Sequence, residues 1–275
     1  MAIASVRPPA VAGQFYPGDP LVLSAQLSEL LTTAVPLENV PPPKAVIVPH
    51  AGYIYSGPIA ATAYAVLAPL RDVVRKVVML GPTHRVAVDG FSLPATQAFA
   101  TPLGEVPLAR ADWLALQARA DVSVDDRPHA FEHCLEVQLP FLQTVLGRFE
   151  LVPVLVGRAN AEAVADLIES VWGGPETLIL ISSDLSHYLS YEQARHCDRA
   201  TIEQVIRLQV GLNHEQACGA TPINGLLRVA QRHGLEPHLL DLRNSGDTAG
   251  DRGRVVGYAS VAFCESPAHA AAPRH

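Results

Sequence analysis

The sequence predicts an α/β fold: one domain over residues 1–265, with a central mixed, largely buried sheet flanked by helices. Three observations carry this. The runs at 45–48 (Ala-Val-Ile-Val), 77–80 (Val-Val-Met-Leu) and 178–181 (Leu-Ile-Leu-Ile) are short, unalternating and rich in β-branched residues, as strands covered on both faces are. Stretches with helical spacing fall between them. A chain of 275 residues with 49% apolar and 17% charged content can bury one sizeable core, and no linker divides it.

In chain order, residues 6–20 contain Ala12-Gly13-Gln14-Phe15-Tyr16-Pro17 and read as an ordered loop whose aromatics pack on the body. Residues 21–33 form an amphipathic helix through Leu23, Leu27, Leu30 and Leu31. Pro41-Pro42-Pro43 breaks the chain before the first core strand. The Ala-rich stretch 57–70 is helical, with Pro58 tolerated in its first turn. After the strand at 77–80, residues 90–101 suggest a short strand pair and 111–120 a helix. Residues 133–146 are helical in spacing, and Pro140 kinks that helix or marks its start. A strand at 151–156 and a helix at 161–171 precede the strand at 178–181. Helices follow at 191–208 and 223–233, then strands at 239–242 and 255–263 around a Gly/Asp/Ser loop. The Pro/Ala/His tail at 266–275 is expected to be disordered.

Net charge is −7, and no Lys/Arg cluster forms a basic face, so a nucleic-acid partner is not expected. The apolar runs are too short to span a bilayer. Residues 1–10 lack the apolar core of a signal peptide, which points to the cytoplasm. Cys134, Cys197, Cys218 and Cys264 show no CxxC spacing and read as thiols, three of them as small buried hydrophobes.

Each of the three core runs ends at a histidine. The first continues as Pro49-His50-Ala51-Gly52-Tyr53, the second as Gly81-Pro82-Thr83-His84, the third as Ser182-Ser183-Asp184-Leu185-Ser186-His187. Sites in open α/β sheets lie outside the carboxyl ends of the strands, so three imidazoles and a carboxylate can meet there. Imidazole is a common ligand for mid-row metals. If a helix starts at Asp184, its carboxylate faces His187 and can orient it or share acid/base work; Ser182, Ser183 and Asp184 also suit a helix cap. His129, Glu132, His133 and Glu136 form a polar cluster, in which His133 and Glu136, one helical turn apart, can line a pocket or open a solvated helix. The chain has no P-loop, no GxGxxG after a strand and no GxSxG, which argues against nucleotide binding and serine hydrolysis.

These motifs, with Thr101-Pro102-Leu103-Gly104, Glu132-His133 to Leu139-Pro140, Pro153 to Gly157 and Cys218-Gly219 to Pro222-Ile223, together resemble the Memo (mediator of cell motility) family over nearly the whole chain. In bacteria and archaea that family is also the B component of the AmmeMemoRadiSam system. The resemblance therefore implies a functional link to radical-SAM and AMMECR-type proteins. It implies a fold similar to class III extradiol dioxygenases and a metal site on His50, His84 and Cys218. It places His187 as acid/base, with Asp184, His133 and Glu136 close by.

A ring-cleaving dioxygenase uses two histidines and a carboxylate, whereas here the third ligand is a thiolate, softer and itself open to oxidation. Fe(II) is the first expectation, with copper and zinc also suited to this donor set. The leading expectation is a metal-dependent oxidoreductase, dioxygenase-like, acting on a small organic substrate. A hydrolase with Glu136 or His187 as base is the second. The third follows from the family's ties to phosphopeptide binding and metal homeostasis, and is a non-catalytic metal- or phosphopeptide-binding module.

Overall fold

The chain opens with β1 (Val6–Arg7), α1 (Pro20–Thr33), β2 (Pro43–Val48), α2 (Tyr53–Leu67) and β3 (Lys76–Pro82). Then come β4 (Phe91–Leu93), β5 (Ala98–Thr101), β6 (Gly104–Pro107), α3 (Arg110–Gln117), β7 (Val122–Val124) and α4 (Asp126–Ala130). Next are α5 (Leu139–Leu146), β8 (Glu150–Val156), α6 (Ala161–Ser170), β9 (Thr177–Ser182) and β10 (His187–Leu189). It closes with α7 (Tyr191–Ile206), α8 (Ala220–His233), β11 (Leu235–Asn244) and β12 (Val255–Glu265). This computed structural model describes residues 5–35, 37 and 39–265, so the tail expected to be disordered lies outside the described residues.

β2, β9, β3 and β8 run parallel at the centre of a nine-stranded sheet of order β10-β12-β2-β9-β3-β8-β4-β7, with β11 also on β12. β12 pairs antiparallel with β2, and β4 antiparallel with β8, so the sheet is mixed. β2 and β9 are buried throughout, as their unalternating sequences require. Gly257 and Ser260 have opposite parity on β12. The first abuts Asp198 of α7, and the Ser260 hydroxyl donates to the Ile59 carbonyl of α2. The two helices therefore cover opposite faces of the sheet. α6 and α8 pack on each other, and α8 lies on β3 and β9. One core runs through these layers, with Tyr64 and Phe141 stacked at 4.6 Å in its interior.

Near the start of β2, Lys44 is buried. Its Nζ donates to the carbonyls of Trp172, Gly174 and Thr177 at 2.7–2.8 Å and lies over the Trp172 ring. A buried ammonium is tolerable when its three donors meet three acceptors.

Several elements differ from expectation. Residues 90–101 do not pair with themselves: β4 joins the main sheet, while β5 pairs with β1 and β6 in a separate three-stranded sheet. α2 starts a turn earlier than 57, because the Tyr53 amide donates to the Phe15 carbonyl and the Tyr53 hydroxyl to the Val137 carbonyl. Its Pro58 thus lies inside the helix. Helix α5 begins at Leu139 with Pro140 in its first turn, preceded by a 3-10 turn over Glu136–Gln138. No helix starts at Asp184. Residues 183–186 are a loop, and His187 opens β10.

Candidate metal centre

The carboxyl ends of β2, β3 and β9 deliver their side chains to one place. One ring nitrogen each from His50, His84 and His133 lie within 4.8 Å of one another. The ring centroids are 5.2 Å apart for His50 and His84, 5.3 Å for His50 and His133, and 4.8 Å for His84 and His133. His133, expected to line a pocket with Glu136, thus belongs to the imidazole cluster. Cys218, just before α8, joins through His50, with Sγ 3.3 Å from Nε2.

Hydrogen bonds on the outer side set which nitrogen faces inward. The Ser182 hydroxyl donates to the Cys134 carbonyl at 2.6 Å, so its oxygen can only accept from His50 Nδ1 at 2.9 Å. His50 therefore carries its proton on Nδ1 and keeps a lone pair on Nε2. His84 Nδ1 donates to Glu132 Oε1 at 2.9 Å, and His133 Nδ1 lies 3.2 Å from the same oxygen. Glu132 also accepts the amides of His84, His133 and Cys134. Burial pushes the Glu132 carboxyl up, but the bonds from His133 and His84 outweigh it and hold the group well below the usual carboxylate range. Burial, then the nearby His133 and His84, holds His50 well below its ordinary value and so neutral. Burial pushes the Cys218 thiol up to about 12, opposed by the Asp184 and Gly219 backbone.

Asp184 is nearby but not in its expected role. Its Oδ1 accepts the His50 amide at 2.7 Å, and its carbonyl accepts the Cys218 amide at 3.3 Å. It braces two neighbours and does not orient His187. The His187 Nδ1 instead donates to the Leu185 carbonyl at 2.8 Å, leaving Nε2 free. Burial raises the Asp184 pKa, against the pull of the His50 amide and the surrounding imidazoles.

Glu136, a catalytic candidate from the sequence, is turned to the N-terminal segment. Both oxygens are occupied by the N-terminal segment: the Arg7 guanidinium at 2.7 Å, the Ala10 and Val11 amides, and the Tyr16 hydroxyl at 2.6 Å. With no helix over 133–136, the one-turn spacing that paired it with His133 does not apply. Arg7 also holds the His129 and Glu132 carbonyls, so the N-terminal segment braces the turn that carries Glu132 and His133. Phe15 packs on His133 at 4.9 Å.

Gly81, one residue before the end of β3, sits where space is tight: a Cβ there would lie 2.6 Å from Cys134 Sγ. A cleft of about 1890 Å³ opens on the centre. His84, His187, Cys218 and Tyr188 are among its walls, and Cys197, expected as a buried hydrophobe, lies half-buried there. All four cysteines are free. Among the described residues, no helix is long and apolar enough to cross a membrane.

Sequence reasoning missed Glu132 and Ser182 as orienting groups. Their signal was an acidic residue abutting His133 and a serine at the very end of an apolar run.

The family model described as Memo-like protein matches residues 7–262. The chain belongs to the Memo family. Family relatives include a MEMO1 family protein of Sulfolobus acidocaldarius, 36% identical, covering 94% of this chain and 99% of its own length. Another, from Methanopyrus kandleri, is 37% identical over 94% and 98%. Among solved structures, an uncharacterized protein of Escherichia coli K12 covers 79% of this Memo-family chain and 98% of its own, with a TM-score of 0.50 and 13% identity, a likeness of fold.

Proposed function

We propose that this Memo-family protein is a mononuclear metal protein that acts on a small organic molecule in the cleft. The observation that carries the reading is the convergence of one ring nitrogen each from His50, His84 and His133, with Nδ1 of His50 and His84 hydrogen-bonded outward and Nδ1 of His133 at 3.2 Å from Glu132. Outer partners of this kind are what metal-bound histidines require. A thiol 3.3 Å from His50 Nε2 adds a fourth donor in Cys218. The donor set fits Fe(II), with copper and zinc as alternatives.

When bound, Fe(II) would supply a Lewis acid able to hold an organic oxygen and take part in one-electron chemistry. The chain's residues do the rest. His50, His84 and His133 would hold the ion, with Cys218 beside His50 as the further donor. His187, half-buried on the cleft wall with Nε2 free, accepts or returns a proton on the bound substrate. Asp184 holds the His50 backbone in place. The functional class is oxidoreductase, similar to extradiol dioxygenases. Thiolate with imidazole also suits zinc, which favours hydrolysis as the second reading, with His187 as its base since Glu136 is occupied.

The test is the metal content of anaerobically purified protein, wild type beside Cys218→Ala and His84→Ala. Near-stoichiometric iron or copper that disappears in both variants supports the reading and justifies an oxygen-consumption screen. Zinc moves the assignment to hydrolysis. A metal-free wild type, with all three proteins equally folded, refutes it.

A further inference from the structure

The loop 183–187 is tied to two of the donors, His50 and Cys218. Ser183 Oγ accepts the Gly219 amide at 2.9 Å and lies 3.8 Å from Cys218 Sγ. Asp184 takes the amides of His50 and Cys218, and the Leu185 carbonyl fixes His187. The loop is anchored from behind by β12, since the Leu185 amide donates to the Gly257 carbonyl and the Gly257 amide to the Ser186 carbonyl. The Ser186 amide donates to Asp198 Oδ1 at 3.0 Å.

Asp198 sits on α7 and is 2% exposed. No ion pair holds it among the described residues, so stability alone gives no reason for a carboxylate there. The opposite wall is cut to fit it: a Cβ on Gly257 would lie 2.0 Å from Asp198 Oδ2. A buried acid with a glycine shaped to receive it, directed at Ser186 of the loop, is an arrangement for holding that loop.

We propose that Asp198 is a positioning residue for the metal centre. It acts through Ser186 to hold loop 183–187, and through that loop it sets the placement of Cys218 and His187. The inference rests on the metal-site reading above. Asp198 itself contacts neither the cleft-facing donors nor a substrate.

Co(II) is the probe, titrated into the full chain as wild type, Asp198→Asn and Asp198→Ala. Circular dichroism checks folding, and the thiolate-to-Co(II) charge-transfer absorption reports Cys218 ligation. Asp198→Ala should bind Co(II) about 10–100-fold more weakly, the range for losing an outer support, with a weakened charge-transfer band. Asp198→Asn keeps a carbonyl oxygen for the Ser186 amide and should restore most of both. If Asp198→Ala does not fold, Asp198→Ser, too short to reach the amide, carries the same expectation. An unchanged affinity and band in the folded Ala or Ser variant overturns the proposal, as does an Asn variant as impaired as Ala. A wild type that takes up no Co(II) overturns the metal-site reading itself, a result distinct from both.

Discussion

Glu132→Gln is the substitution that most directly tests how the imidazoles are aimed. One buried carboxylate accepts from the His84 and His133 amides, the Cys134 amide and both Nδ1 atoms. An amide in its place keeps one acceptor oxygen and turns an NH2 toward groups that are themselves donors. At least one imidazole then loses the bond that keeps its lone pair on Nε2 and is free to take the other tautomer. Loss of such an outer partner lowers metal affinity about 10–100-fold, or about 1.4–2.8 kcal/mol. A backbone amide left buried and unpaired costs a further ~1–3 kcal/mol of stability, separate from the affinity. The assay is competition with a chromogenic chelator at neutral pH, run on protein shown to be folded. An affinity within about twofold of wild type, against that expected range, would refute the claim that Glu132 aims the site.

Other outcomes follow from the same geometry. Arg7→Ala leaves Glu136 buried without its counter-charge, and should cost about 3–5 kcal/mol in urea denaturation; a loss under about 1 kcal/mol contradicts the bracing role. Gly81→Ala should cost about 1–3 kcal/mol and also weaken metal binding, because the end of β3 that leads to His84 must move off Cys134; a stability change without an affinity change separates the two. His129 is held down at about 4 by burial, below its ordinary 6.5. Between those values the unfolded chain binds the extra proton, so stability falls as pH drops from about 6.5 to about 4, by on the order of 3 kcal/mol for this group. His129→Gln should flatten that part of a melting-temperature profile against pH, and an unaltered profile contradicts the assignment.

The buried strands were legible because burial on both faces writes itself as unbroken apolar runs, and β2, β3, β8 and β9 all fall where such runs stand. The meeting of His50 and His84 at one sheet end followed from their places at strand ends, whereas His187 lies on the cleft wall outside the imidazole cluster. What stayed hidden depended on contacts distant in sequence. Glu136 looked like a pocket acid because its partners, Arg7 and Tyr16, lie more than a hundred residues away. Asp184 and His187 suggested a helix turn, but the chain there is committed to Gly257 and Asp198 instead. His133 and Glu132 exchanged their apparent importance with Glu136 once the 133–136 stretch proved not to be helical. β5 left its neighbour β4 for β1, a pairing that no local pattern announces.

The cage around Lys44 has a consequence for how this protein can change. β2 carries a fixed internal cation near its first residue and leads to His50 just past its last. The lysine closes the floor of the sheet with a charge encoded in the chain, present under all metal conditions. The opposite rim is left for an ion that arrives from outside. Loss of the Lys44 ammonium would leave three buried carbonyls without that donor, a cost to the fold that no metal supply alters.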